Sequence, residues 1–124
     1  MKTKLLKVLL ITLASLLFYK SVYAHGDETP QHGGIVKVEH EMIFELVRSD
    51  SETSLYLRDH GKPYPSKKFS GIVTVLADGI KSEMTLEPAG DNKMVADVVI
   101  PNGAKILIKV KEDGHHSVTV RYSF

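Results

Sequence analysis

Six histidines are the residues of this chain best suited to chemistry: His25, His32, His40, His60, His115 and His116, none of them before residue 25. Imidazole is the commonest protein ligand for zinc, copper and nickel, so a cysteine-free chain with this residue set points first to a nitrogen-based transition-metal site. His25 and His32 lie in the run AHGDETPQHGG. Cleavage after Ala24 would make His25 the first residue, and its α-amino group and Nδ1 could then chelate one cupric ion. His32 can complete that site; the competing assignment leaves both in a solvated tail. His40 and Met42 stand two apart in an alternating stretch, which would put an imidazole and a thioether about 7 Å apart on one strand face. That pair suits copper. Alternatively, Met42 fills a gap in the core and His40 sits at its edge. His60 follows Asp59, a carboxylate able to orient its ring as partners of metal-bound histidines do, although a turn histidine is by default a surface residue. His115 and His116 are adjacent, so a strand would send them to opposite faces and only one could join a given site.

Other chemistries lack their residues. There is no GxSxG elbow, no cysteine nucleophile, no HExxH and no glycine-rich phosphate loop leading into a helix. Glu39 and Glu41 are spaced to share a strand face, but that face is otherwise lysine and glutamate and reads as solvated surface. A non-catalytic chain is expected.

Location comes from the first 24 residues. Lys2, Lys4 and Lys7 precede the apolar run Leu5 to Tyr19, and Val22-Tyr23-Ala24 presents a signal-peptidase site, so residues 1–24 read as a cleaved signal peptide. The run is shorter than the ~20 residues that span a bilayer and ends at Lys20, so no stable membrane insertion is expected after cleavage. Periplasmic export follows as the expected destination. Four of the 16 basic residues leave with the signal, which sets 12 against 15 acidic ones, a net charge of −3. A mildly acidic domain without a basic run has no electrostatic footprint for nucleic acid.

Residues 25–34, with Gly26, Pro30, Gly33 and Gly34, read as a flexible arm. Residues 35–124 read as one all-β domain, because apolar residues recur with period two between short turn signals. Seven strands are expected: Ile35 to Val47, Ser54 to Arg58, Gly71 to Ala77, Ile80 to Glu87, Lys93 to Ile100, Ala104 to Lys111 and His115 to Phe124. Asp78-Gly79 favours the positive φ of a tight hairpin. The last three strands should turn Met94, Ala96, Val98 and Ile100, then Ala104, Ile106, Ile108 and Val110, then Val118, Val120, Tyr122 and Phe124 to the core. An immunoglobulin-like antiparallel β-sandwich would bury these faces, with a small barrel as the second possibility.

The motifs HGGIVKVEHEMIFELV, SLYLRDHGKPYP, FSGIVTVLADG and LEPAGDN occur in that order over most of residues 32 to 100. In this they resemble small exported bacterial domains associated with heavy-metal efflux, including parts of the periplasmic adaptor subunits of metal-exporting pumps. The resemblance implies a periplasmic β-sandwich in metal traffic, with His32 of HGG and His60 of DHGKP as ligands. It also implies a histidine just before the aromatic residue of FELV, where this chain has Ile43. Together these readings describe a protein that binds copper or zinc through His25, His32, His40 and His60 and buffers it or delivers it to an efflux adaptor. The reading from another class is an exported interaction domain with no metal site, whose uncovered sheet edge recruits a partner.

Overall fold

The computed structural model describes residues 28–124, so the signal segment and His25 lie outside the described residues. Nine strands form: β1 (Ile35–Glu39), β2 (Met42–Arg48), β3 (Thr53–Asp59), β4 (Lys62–Pro63), β5 (Phe69–Ala77), β6 (Ile80–Pro88), β7 (Lys93–Ala96), β8 (Lys105–Glu112) and β9 (Val118–Ser123). Every pairing is antiparallel, and no helix occurs among the described residues. The strands share one sheet in the order β1-β2-β3-β7-β6-β5-β8-β9, with β4 on β3. Two halves face each other across one core, joined where Glu87 and Pro88 pair with Val95 and Met94. Opposite that corner, β1 and β9 run alongside one another, with Cα atoms within 8 Å but no ladder between them. The sheet is therefore a nearly closed barrel rather than two separate sheets.

Apolar alternation drives this closure, since each strand has one face to bury. Phe44, Leu46, Leu55 and Leu57 from one half meet Val73, Leu86, Ile108 and Val120 from the other, all with no exposed surface. The three expected inward sets are all in or against this core, with Val98, Val118 and Phe124 packed at its margin. Tyr122 crosses the seam, its buried Oη donating to the Phe44 carbonyl at 2.9 Å. Burial, with a smaller contribution from the negative Glu45, pushes this phenol far above its ordinary value and keeps it a donor.

The first strand differs most from expectation. His40 and Glu41, at φ of 50° and 67°, form a two-residue turn that divides Ile35 to Val47 into β1 and β2. Such a turn leaves the period-two pattern unbroken in the sequence while reversing the face that each half presents. Val36 and Val38 consequently lie opposite Glu45 and Ile43 on the outer face, while Phe44 and Leu46 fill the core. Neither residue is a glycine or asparagine, so the turn leaves only a weak mark in the sequence, and non-glycine residues at positive φ cost about 1 kcal/mol or more. Here the ladders of β1 and β3 on β2 outweigh that cost. In addition, the loop after Asp59 contains the short edge strand β4, and β9 begins only at Val118, leaving His115 and His116 before it.

Candidate metal-binding end of the barrel

Glu45 organises the outer face of β2 and β3. Its carboxylate is fully buried, and it accepts backbone N–H groups from Gln31 at 2.9 Å, His32 at 2.8 Å and Gly34 at 2.9 Å. Burial alone would raise its pKa, but the bonds from Gln31, Gly34 and His32 outweigh that and hold the carboxyl below its usual range. Arg58, also buried, donates from Nη2 to the Thr29 carbonyl at 3.0 Å. The His32 ring stacks on Tyr56 with centroids 3.6 Å apart and planes 8° from parallel. Residues 28–34, which composition reads as part of a flexible arm, are thus held against the sheet. A single strand's pattern cannot show that a carboxylate on its polar face will be covered by chain from before it.

The two glycines of HGG serve this docking in different ways. Gly33 takes φ of 72°, the left-handed conformation that reverses the chain into β1. Gly34 lies so close to β2 that a Cβ would collide with the Leu46 carbonyl oxygen and stand 2.8 Å from Val47 Cγ2. Gly34→Ala is expected to cost about 2–3 kcal/mol by displacing the backbone. Gly33→Ala, whose Cβ would meet nothing within 4 Å, should cost only about 1–2 kcal/mol. Urea denaturation of the two variants measures this order directly.

The turns place the other histidines. Met42 of β2 pairs with Asp59 of β3, so the β1–β2 turn holding His40 and the β3–β4 turn holding His60 are neighbours at one end of the barrel. His60, at φ of 51°, has its Nδ1 2.8 Å from Asp59 Oδ1. That contact leaves Nε2 outward, the arrangement a partner carboxylate gives a metal-bound imidazole. The β8–β9 turn reaches the same end. His40, His115 and His116 line one cleft there with Met42, Phe44, Phe69 and Glu112. Glu112 is held by Tyr64, whose Oη donates to it at 2.8 Å, and a carboxylate oxygen stands 3.9 Å from His115 Nε2. His40 and Met42 therefore share this cleft as turn and strand residues, not as neighbours on one strand face.

His32 is not brought to this end; it stands on the outer face, over Tyr56. Ile43, where the resemblance implies a histidine, is buried on that face opposite Arg58. Among the described residues no three His, Cys, Asp or Glu side chains already stand as a group that could hold a metal ion. The Met42 thioether is a donor of a different type, suited to copper. A strand beginning at His115 would send His115 and His116 to opposite faces, but β9 starts only at Val118. Only the turn at this position lets both line the cleft.

No family model matches the chain, and no curated protein or solved structure matches it either.

Proposed function

We propose that this is an exported, periplasmic, non-catalytic protein that binds copper or zinc and buffers it or passes it to an efflux adaptor. The observation that supports this reading is the cleft shared by His40, His115, His116 and Met42. The three histidines lie outside the strands and are exposed, so binding draws side chains together and loses some of their rotamer freedom. That cost favours moderate affinity and release over storage. The anchored arm adds a further ligand. From Gly34 beside Leu46, through Gln31 and His32 at Glu45, to Thr29 at Arg58, the chain traces back along the outer face towards the Met42–Asp59 end. His25 is four residues before Thr29, within a reach of at most about 14 Å. An N-terminal His25, through its α-amino group and ring, is proposed as a further ligand with His40 and His60, while His32 acts as an anchor.

Removing the arm is a poor test, since it would uncover Glu45 and Arg58. Calorimetric titration of the chain beginning at His25 with Cu(II) and Zn(II), beside its His25→Ala variant, keeps the fold intact. Stoichiometric binding at about micromolar Kd or tighter is expected, weakened roughly tenfold in the variant for Cu(II). A folded protein that binds neither ion would leave the second reading, an interaction domain, which one observation favours: among the described residues, part of β6 has no strand on its outer edge.

A further inference from the structure

Strand β6 pairs with β5 along Ile80 to Leu86, but with β7 only at Glu87 and Pro88. Among the described residues, nothing is paired with the other edge of residues 80–86, and Ile80 to Thr85 are all exposed. Which backbone groups face outwards is fixed from both ends. The two-residue turn Asp78-Gly79, at φ of 53° and 72°, directs Ile80 towards β5 across the hairpin. Further along, Ala89 donates its N–H to the Lys93 carbonyl at 2.8 Å, which turns the odd-numbered residues towards the β7 side. Both ends agree that Lys81, Glu83 and Thr85 present unpaired N–H and C=O groups at the open edge.

The side chains of this edge are unusual for one left bare. Ile80 and Met84 lie opposite Ala77 and Val73, on the side that forms the core elsewhere, yet they are 70% and 40% exposed. Lys81 and Glu83 lie on the other face with Nζ and Oε1 3.4 Å apart. Few strands could add here while covering both apolar residues and pairing both charges. A second copy of β6, running antiparallel about a twofold axis through Ser82, does so. Ile80 then falls opposite Met84, Lys81 opposite Glu83, and Ser82 opposite itself. The Lys81–Glu83 pairs are the ones that exchange both backbone hydrogen bonds. The neighbouring registers of the same parity place Lys81 against Lys81 or Glu83 against Glu83, which cross-strand electrostatics disfavour. One register alone satisfies hydrogen-bond parity, charge and apolar cover.

We infer that the protein self-associates through β6 in this antiparallel ladder, which extends the β5–β6 sheet across a twofold axis. The interface is independent of the metal reading, since the histidine-bearing end is formed by the β1–β2, β3–β4 and β8–β9 turns. Sedimentation equilibrium of the chain from His25 should show a concentration-dependent dimer. Lys81→Glu or Glu83→Lys should each weaken it roughly tenfold or more, and the double exchange Lys81→Glu/Glu83→Lys should restore it. Both positions are solvent-exposed, and circular dichroism checks that the variants are folded. The chain has no cysteine, so Ser82→Cys gives an unambiguous second test. Ser82 residues facing one another in a non-hydrogen-bonded pair have Cα atoms about 4.5 Å apart, within disulfide range, so oxidation should yield a covalent dimer. A monomer at all concentrations, or a dimer indifferent to the single charge changes and not captured through Ser82→Cys, would overturn the inference.

Discussion

Glu45→Gln is expected to destabilise the protein by about 2–3 kcal/mol at neutral pH, the size of one or two charge-assisted hydrogen bonds. For a domain of this size that is a fall in Tm of roughly 10–20 °C. The carboxylate accepts from Gln31 on one oxygen and from His32 and Gly34 on the other. A carboxamide keeps one acceptor oxygen and turns an NH2 towards the remaining N–H donors. The loss is limited by the arm's ability to detach and let its amides meet water. Hydrogen exchange should show it as lost protection at Gln31, His32 and Gly34.

The same residue makes stability depend on pH with a definite sign. Because its carboxyl is held below the usual range in the folded chain, Glu45 contributes fully above the unfolded carboxyl pKa of about 4.3. The contribution is lost as pH falls through the lower folded value. Urea denaturation at pH 7 and at pH 3 should therefore show the gap between the natural chain and Glu45→Gln narrowing with acid. A gap of the same size at both pH values would mean that the carboxylate is not the group clamping the arm.

The second large effect concerns the cleft. The triple variant His40→Ala/His115→Ala/His116→Ala should bind Zn(II) and Cu(II) about 100-fold more weakly, a loss of some 2.7 kcal/mol in binding free energy. The three side chains are exposed turn residues, so stability should change little. His40 even adopts a left-handed φ, and its replacement with alanine should cost no more than a few tenths of a kcal/mol. His32→Ala should behave in the opposite manner, weakening the arm's seat on Tyr56 with little change in metal affinity. Met42→Leu separates the two ions: a thioether matters for copper and much less for zinc, so only copper affinity should fall.

Much of the fold was legible in period-two patterning. The core residues of β7, β8 and β9 follow from it, as does the Asp78-Gly79 hairpin. It failed where a turn left only a weak mark. His40-Glu41 interrupts the first stretch without glycine, asparagine or a break in alternation, so period two reads Ile35 to Val47 as one strand with His40 inside it. The same miss hid the cleft, because His40 joins Met42 and the β8–β9 turn only once the chain reverses. Several residues of the sequence motifs have clear structural roles here. Gly33 and Gly34 of HGG bend and admit the arm, and Glu45 of FELV grips it, so the two motifs form one clamp. Gly90 and Asp91 of PAGDN take φ of 92° and 46°, and Asn92 Nδ2 donates to the Leu57 carbonyl at 2.9 Å. Such long-range partnerships are invisible in local spacing. Barrel closure stands only as the second possibility in patterning for a similar reason, since it depends on the meeting of β1 and β9, the first and last strands of the sheet.

Histidine ring resonances followed by NMR during titration with Zn(II) and Cu(I), both diamagnetic, bear on the metal site without perturbing it by mutation. One equivalent should shift the rings of His40 and of His115 or His116, with the Met42 methyl moving for Cu(I), while the His32 ring on Tyr56 stays in place. Saturable binding that moved only His32, or left all of the cleft rings unchanged, would contradict a metal site at this end of the barrel.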